Sequence, residues 1–361
     1  MIGDVIKHSF AVLFLAGLTL LAPLPPEPPP PQTAPSSSIS FFAEPQPLDA
    51  PLAWKQLVGI YHYDDSKQDL IIGERNQHLF YQFGSMAPPV EITAKDDQVW
   101  LNGRDGRLHA FSVRRDSTGT VTELTHLAEH YSRADAGTNR YFHIELKQPI
   151  KQLRAAALAA KPPAETGTFR TPDLIELTSL DPAFHLDIRY AQSDNFLSTP
   201  IYTQARAFLQ RPAAEALLRV LHKLQPLAYG LIIHDAYRPW YVTKIFWDAT
   251  PPADHMFVAD PQKGSRHNRG CAVDLTLRDL VSGRPVEMPS LYDEMSPRSF
   301  PDFPGGTSLQ RWHRDLLRRA MESEGFTVNE DEWWHFDYKD WKEYAIHNVP
   351  FENLSGVSTQ R

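Results

Sequence analysis

The chain has 361 residues, 42% of them hydrophobic and 11% aromatic, so it is long enough for two domains and apolar enough for a globular core. The formal net charge is −8 and no basic tract occurs, which argues against a nucleic-acid partner. Cys271 is the only cysteine, which excludes an intramolecular disulfide and a multi-cysteine zinc site. Any metal must therefore be bound by histidine, aspartate or glutamate side chains.

The N-terminus carries an apolar segment, Phe10 to Leu21, that follows Lys7 and His8. The segment is too short for a comfortable membrane span and is typical of a secretory signal peptide or an uncleaved anchor. We assign the signal peptide or anchor to residues 1–24. We expect export to the periplasm or cell envelope, and any membrane association is expected only through this segment. A buried or disordered apolar N-terminus is the alternative. Residues 25–51 are rich in proline and predict an extended linker.

Residues 52–150 predict a small all-β accessory domain. Short alternating runs such as "LVGIYHYDD" and "VEITAKDDQVWLNG" are interrupted by the hairpin signals "DDSK", "KDD", "NGRDG" and "DSTG". This pattern indicates an antiparallel barrel or sandwich without chemistry of its own. The runs "LVGIY" and "TGTVTEL" loosely resemble the small β-barrel domain appended to some penicillin-recognising serine hydrolases. A second linker, also containing proline, is predicted over residues 151–168.

Residues 169–351 mix helices and strands, and a tail follows over residues 352–361. "RPAAEALLRVLHKLQPL" and "SLQRWHRDLLRRAMESEGF" have apolar residues at helical spacing, with Thr307 or Ser308 as the N-cap of the second helix and Gly325 at its end. "AYGLIIHDAY", "CAVDLTL" and "EWWHFDY" predict strands. This order favours an α+β domain with a central antiparallel sheet and flanking helices.

The segment "SRHNRGCAVDLTL" places a carboxylate, that of Asp274, within a strand that is otherwise apolar. A buried carboxylate is costly unless a hydrogen bond or a cation compensates it. His267 lies in the loop before the strand, and Gly270 permits the turn that would bring the two side chains to one point. We interpret the pair as metal ligands, with His335 of "EWWHF" as the third candidate.

Two further residues fit a metal-assisted hydrolysis. In an ideal strand Glu332 and His335 point to opposite faces, so a bend at the two tryptophans between them is needed for Glu332 to reach the metal-bound water. The tryptophans would then form apolar walls that raise the pKa of the Glu332 carboxyl. "HDAYRPW" places Arg238 at the end of a buried strand, where its guanidinium is suited to stabilising an oxyanion.

These motifs resemble those of a known family. "SRHNRGCAVD" matches the S-x-H-x-x-G-x-A-x-D pattern and "EWWH" the E-x-W-H pattern of the zinc D,D-peptidases. The fuller resemblance is to the D-alanyl-D-alanine dipeptidases of the vancomycin-resistance type, through "DIRYAQSDNF", "DAYRP", "AVDLTL", "YDEMSPRSF" and "EWWHFDY". The motifs occur in the same order from Asp187 to Tyr338, nearly half of the chain.

The resemblance implies one zinc ion per chain and a small peptide substrate, D-Ala-D-Ala or a related peptidoglycan peptide. Glu332 would be the general base, and Arg238 would stabilise the transition state. Asp293 would pair with the free ammonium of a dipeptide. The implied zinc ligands are His267, Asp274 and His335, and the implied substrate-binding residues are Tyr190, Ser265 and Asp293.

Two other functions remain open from the sequence. A D,D- or L,D-carboxypeptidase that trims muropeptides would use the same centre on a longer substrate. A non-catalytic, zinc-stabilised cell-wall binding protein would need the ligands but neither Glu332 nor Arg238, so the presence of both counts against it. We interpret Cys271 as a small buried neighbour of the ligands, and His234, His255 and His347 as structural.

Overall fold

The computed structural model describes residues 45–63, 69–84, 87–95, 98–102, 107–134 and 143–354. The predicted signal or anchor segment, most of the proline-rich linker and most of the C-terminal tail lie outside these residues, as do most residues of three of the predicted hairpin turns. Within the described ranges, no helix combines the length and the apolar character that a membrane crossing requires.

The N-terminal domain is a closed eight-stranded barrel that follows a short helix, α1 (Leu52–Lys55). Its strands are β1 (Gly59–Tyr63), β2 (Leu70–Arg75), β3 (His78–Phe83), β4 (Val90–Lys95), β5 (Gln98–Asn102), β6 (Leu108–Arg115), β7 (Val121–His126) and β8 (Glu129–Arg133). Each strand pairs antiparallel with the next, and β1 closes the barrel against β8. Alternate side chains point inward, and Tyr61, Ile72 and Leu124 are among those that fill the barrel. The prediction of a small barrel is confirmed.

A helix, α2 (Ile150–Ala159), occupies the first part of the region that we predict as a linker over residues 151–168. Leu153 and Ala157 are buried on it, and the helix packs against a later helix of the C-terminal domain. The prediction of a plain linker is therefore corrected, since an alanine-rich run with two apolar residues four apart forms a helix when a neighbour covers that face.

The C-terminal domain is a mixed layer of helices and strands. Its helices are α3 (Leu177–Leu180), α4 (Arg211–Leu224), α5 (Trp240–Ala249) and α6 (Ser308–Glu322). Its strands are β9 (Leu174–Glu176), β10 (His185–Leu186), β11 (Phe208–Gln210), β12 (Tyr229–Asp235), β13 (Ala272–Asp279), β14 (Phe326–Val328) and β15 (His335–Tyr338). Thr307 is the N-cap of α6, and its side chain and that of Gln310 form a capping box.

The central sheet has the strand order β10-β12-β13-β15-β14, and β9 pairs with β11 separately. The expectation of an antiparallel sheet needs one correction, because β10 and β12 run parallel. The chain between them contains α4, and a crossover of this kind returns a strand in the same direction. The other three pairs are antiparallel, as predicted.

Candidate metal centre and active site

Three neighbouring strands bring Asp235, Asp274 and His335 into one row across the central sheet. Asp235 at the end of β12 is paired with Asp274 on β13, and Asp274 is paired with His335 at the start of β15. Side chains at directly opposed positions lie on the same face and close together. The pairing of β12 with β13 is irregular between Ile233 and Asp235, as is common beside active sites. The sheet itself therefore places two of the predicted ligands side by side.

The third predicted ligand, His267, lies in a single 3₁₀ turn, His267–Arg269, that precedes β13. The turn ends at Gly270, whose φ of 68° lies in the left-handed region. A Cβ built on Gly270 would lie 2.5 Å from the Cδ2 atom of Leu174. The position therefore requires glycine for its backbone conformation and for its close packing.

The three predicted ligands converge on one point. His267 Nε2 lies 3.1 Å from His335 Nδ1 and 3.4 Å from Asp274 Oδ1, and the latter two atoms are 2.9 Å apart. The three atoms form the single group of histidine, cysteine or carboxylate ligands in the described part of the chain that could hold a metal ion.

The donor set fits a tetrahedral zinc ion. Bonds of 2.0–2.1 Å in a tetrahedron separate neighbouring ligand atoms by about 3.3 Å, close to the three distances found here. Asp274 Oδ1 is buried and faces the two imidazole nitrogens at 2.9 and 3.4 Å, neither of them in regular hydrogen-bond geometry. A buried carboxylate oxygen in this state is costly unless a cation compensates it.

Hydrogen bonds to the far side of each ring set the direction of both imidazoles. His267 Nδ1 lies 2.7 Å from the carbonyl oxygen of Ala236, which leaves Nε2 facing the centre. His335 Nε2 lies 3.0 Å from Asp337 Oδ1, which leaves Nδ1 facing the centre. Burial would lower the pKa of His335, but Asp274 and Asp337 outweigh it and raise the pKa to about 10. The centre is thus strongly favourable for a positive charge.

Glu332 lies in a tight turn immediately before β15. The backbone N–H of His335 donates to the carbonyl oxygen of Glu332 at 3.3 Å, so the chain turns at the two tryptophans, as the bend considered above requires, and only the last four residues of "EWWHFDY" form a strand. The turn brings Glu332 Oε2 to 3.7 Å from His335 Nδ1. Burial raises the pKa of the Glu332 carboxyl, although the positive charge of His335 opposes this. Of the two tryptophans, Trp334 lines the pocket and Trp333 does not. The Trp333 indole N–H donates to Ser290 Oγ at 2.7 Å.

Arg238 is held by a buried ion pair. Its Nε and one terminal nitrogen lie 2.9 and 2.8 Å from Asp235 Oδ2, and the same nitrogen lies 4.0 Å from Asp274 Oδ2. Tyr202 donates its hydroxyl to Asp235 Oδ1 at 2.7 Å, which fixes the carboxylate in turn. The guanidinium also lies over the ring of Tyr190. Arg238 is therefore both an internal ion-pair partner and a rigid donor beside the centre.

A chain of hydroxyl groups links the centre to Asp293. Tyr190 donates to Asp293 Oδ2 at 2.9 Å, and the hydroxyl of Tyr292 lies 3.3 Å from that of Tyr190 and 3.1 Å from Asp274 Oδ2. Burial, followed by the negative charge of Asp274, raises the pKa of Asp293 well above its usual range. Asp293 also has a φ of 56°, an uncommon conformation for a residue other than glycine. A carboxylate in this environment favours a cationic partner.

All eight predicted site residues line one pocket of about 590 Å³, a volume typical of a small-molecule site. Ser265 lines its wall, and the Ser265 hydroxyl accepts a hydrogen bond from the His267 N–H at 3.2 Å. The apolar part of the wall includes Met256, Phe257, Met295, Phe300 and Trp334. The roles of the substrate-binding residues remain predictions.

Three residues that the sequence analysis left unassigned support the site directly. Asp235 holds Arg238, Tyr292 donates to Asp274, and Asp337 orients His335 and also binds Arg266 at 2.6 Å. Asp337 lies two residues after His335 on a strand, and therefore on the same face, which is a signal that the sequence contains. Asp235 lies three residues before its partner Arg238. Tyr292 carries no comparable signal, because it contacts Asp274 from a segment 18 positions away.

The residues predicted as structural have ordinary partners or are buried. Burial raises the pKa of the Cys271 thiol to about 12, so it is not a thiolate nucleophile. His234 stacks on Tyr292 with ring centroids 4.6 Å apart, and His255 stacks on Trp247 at 3.7 Å. The backbone N–H of His347 donates to the carbonyl oxygen of Asn268 at 2.9 Å.

Two imidazoles and a carboxylate around one point, with an acid and an arginine beside them, are the groups with which metal-dependent hydrolases bind an ion and activate water. Comparison of the sequence with known protein families supports the same class of protein. The chain belongs to the D-ala-D-ala dipeptidase family, whose family model matches residues 170–353, and it is accordingly a peptidase.

Known relatives agree with this assignment. The chain is 36% identical over 190 residues to a D-alanyl-D-alanine dipeptidase of Escherichia coli K12, a match that covers 53% of this chain and 97% of that protein. It is 32% identical over 187 residues to the D-alanyl-D-alanine dipeptidase of Enterococcus faecium, covering 46% and 93% of the two chains. It is 33% identical over 172 residues to that of Enterococcus faecalis V583, covering 43% and 85%. The predicted family resemblance is confirmed, and the barrel lies outside the family match.

Proposed function

We propose that the protein is a zinc-dependent dipeptidase that hydrolyses D-alanyl-D-alanine to free D-alanine. The observation that carries the proposal is the convergence of His267, Asp274 and His335, with donor atoms 2.9–3.4 Å apart and Glu332 3.7 Å from one of them. The names of the relatives supply the substrate.

The residues of the chain divide the chemistry among them. His267, Asp274 and His335 would hold a zinc ion, which supplies Lewis acidity and lowers the pKa of a water molecule towards neutrality when it is bound. Glu332 takes the proton of the attacking water and delivers it to the leaving amine. Arg238, fixed by Asp235, donates to the carbonyl oxygen as negative charge develops on it.

Asp293 and Tyr190 would select the substrate. The Asp293 carboxylate is buried, and the cation that acts on it, Arg238, is already paired with Asp235. The ammonium of a free dipeptide supplies the missing positive charge, whereas an acylated amine leaves the carboxylate uncompensated. This difference favours free dipeptides over longer or blocked peptides.

The test is hydrolysis of D-Ala-D-Ala, L-Ala-L-Ala and N-acetyl-D-Ala-D-Ala by the purified protein, followed as released alanine. We expect cleavage of D-Ala-D-Ala, loss of activity after removal of metal by a chelator, and recovery on addition of zinc. Activity that persists in metal-free protein would refute the metal mechanism. Equal rates on the free and acetylated substrates would favour the carboxypeptidase reading.

We also propose that the enzyme works in the cell envelope. The support is the apolar segment Phe10 to Leu21 and the proline-rich run after it, which lie outside the described residues. Fractionation of cells that produce the full chain with a C-terminal tag should place it outside the cytoplasm, and a wholly cytoplasmic location would contradict the proposal.

A further inference from the structure

One loop connects the substrate pocket to the barrel. We call residues 290–306 the substrate loop. Its earlier part contains Asp293 and several other residues that line the pocket, and its end leads into α6. The family match contains this loop but not the barrel, so the contact between them is a feature of this chain beyond the matched domain.

The end of the substrate loop packs into the barrel wall. Phe303 is 4% exposed and forms a small apolar cluster with Ile60 of β1 and Ile71 of β2. A Cβ built on Gly305 would lie 3.0 Å from Ile71 Cγ2 and 2.5 Å from the Phe303 ring. The loop and β2 are therefore packed with no space for an added methyl group between them.

A buried carboxylate of the barrel ties the same segment to β2. Glu74 has no exposed surface, and its carboxylate accepts the backbone N–H of Ser308 at 2.7 Å and that of Gln77 at 2.5 Å. Its own N–H donates to the carbonyl oxygen of Gly306 at 3.0 Å. Arg311 donates to the Glu74 carbonyl oxygen at 2.7 Å. Ser308 is the first residue of α6, so Glu74 satisfies an otherwise free N–H at the positive end of that helix.

The pocket end of the substrate loop contacts the turn that carries Glu332. The carbonyl oxygen of Ser299 accepts the backbone N–H of Trp333 at 2.9 Å, and Ser290 Oγ accepts the Trp333 indole N–H at 2.7 Å. The loop is thus held at one end by the barrel and at the other by the residue next to Glu332. Asp293 lies between Ser290 and Ser299, the two loop residues that contact Trp333, and the barrel contacts follow at Phe303 and Gly306.

We propose that the barrel is part of the substrate-binding apparatus, because Glu74 holds the substrate loop in the position that presents Asp293 to the pocket. Glu74 is a positioning residue: it touches no reacting atom, and its carboxylate acts through the backbone N–H and the hydroxyl of Ser308, which follows the loop, while only its backbone N–H bonds Gly306. The proposal rests on the proposed function for its kinetic consequence, but the mechanical coupling can be measured without any activity.

The test compares E74Q with E91Q in the full chain by amide hydrogen exchange and zinc content. The two carboxylate oxygens of Glu74 accept the backbone N–H groups of Ser308 and Gln77. A glutamine side chain has one oxygen, so in E74Q one of these N–H groups faces the amide nitrogen instead. Glu91 is a matched control because it lies on β4 of the same barrel with an exposed side chain. We expect exchange in the substrate loop to be about tenfold faster in E74Q, with β13 and the zinc content unchanged and E91Q equal to the parent.

Steady-state kinetics measure how a displaced substrate loop changes substrate binding and turnover. In E74Q we expect KM for D-Ala-D-Ala to rise about fivefold, kcat to change less, and the preference for the free over the acetylated dipeptide to fall. Unchanged exchange in the substrate loop of a folded E74Q would overturn the proposal, as would faster exchange spread equally over β13. If hydrogen exchange in the substrate loop changes in E74Q but neither the parent nor any variant cleaves dipeptides, the proposed function is wrong. The coupling between the barrel and the substrate loop would still hold.

A second variant covers the case in which E74Q does not fold. S308A removes the hydroxyl that accepts the Asn76 N–H at 2.9 Å and lies 3.3 Å from Glu74, while keeping the helix backbone. It should accelerate exchange in the substrate loop about threefold. No change in S308A would contradict the proposal.

Discussion

At the scale of single residues, the pocket is a set of buried charges in which each group depends on another. Asp235 pairs with Arg238, Asp337 with both His335 and Arg266, and one oxygen of Asp274 faces the two imidazole nitrogens without regular hydrogen-bond geometry. Buried ion pairs contribute little net stability but fix geometry, since the loss of one partner leaves the other charge uncompensated. The groups in these pairs fix the geometry of the site. Proton transfer is the role of a different group, Glu332.

Glu332 is the group that we expect to move protons, and E332Q should show this. The amide keeps the size and the turn but cannot accept a proton, so kcat should fall by about 10²–10⁴ while zinc content stays the same. The measurement is steady-state kinetics together with metal analysis. E330Q is the matched control, because Glu330 is exposed two residues away. An E332Q enzyme as active as E330Q would exclude Glu332 as the base.

At the scale of elements, short irregular segments complete what the strands begin. The strands β13 and β15 supply Asp274 and His335 in register, while a 3₁₀ turn supplies His267 and a tight turn supplies Glu332. A sheet can place two side chains side by side but cannot alone surround a tetrahedral ion. The turns therefore decide whether the strand residues form a site.

The turn at Gly270 offers a test of this division. In G270A the new methyl group meets Leu174 at 2.5 Å in a left-handed backbone, so the turn must shift and carry His267 with it. We expect a loss of about 2–3 kcal/mol in the free energy of unfolding and at least a roughly tenfold weaker zinc affinity. Urea denaturation and a zinc titration measure the two effects.

G84A is the matched control, since Gly84 has a φ of 63° and nothing within 4 Å of the position of a new Cβ. It should show the backbone cost alone, about 1 kcal/mol, and normal zinc affinity. If G270A binds zinc as tightly as G84A, the turn does not position His267.

At the scale of the whole molecule, the barrel and the peptidase domain share one interface. Lys55 of α1 reaches Glu287 at 3.0 Å, Glu74 reaches α6, and Phe303 enters the barrel wall. The buried contacts among these, those of Glu74 and Phe303, couple the unfolding of the two domains. The metal centre should therefore affect the stability of both.

We expect the two domains to melt in one transition that zinc shifts. A ligand that binds only the folded state adds about 4 kcal/mol at a concentration 1,000 times its Kd, which corresponds to a rise in Tm of roughly 6 °C for a cooperative unit of about 300 residues. Differential scanning calorimetry of the metal-free and zinc-loaded protein measures the shift. H267A should melt at the same temperature with and without zinc. A separate melting transition of the barrel, with the same Tm in the presence and absence of zinc, would show that the domains are not coupled.

The sequence by itself determined which residues are the candidates for the site. His267, Asp274, His335, Glu332 and Arg238 are identifiable because metal chemistry restricts the ligand types and because a carboxylate in a buried strand requires a partner. Alternating hairpin segments likewise predict the barrel, since side chains in a strand alternate between two faces. These inferences depend on local spacing, which a sequence states directly.

Only the tertiary structure decided how these groups are supported. Tyr292 and Glu74 act on residues 18 and 234 positions away, and no local pattern links partners of that kind. The same holds for the parallel strand β10, whose direction follows from the crossover, and for the helix in the predicted linker, which forms where α5 covers it. Support of this kind arises from packing between distant segments, and packing is a property of the folded chain.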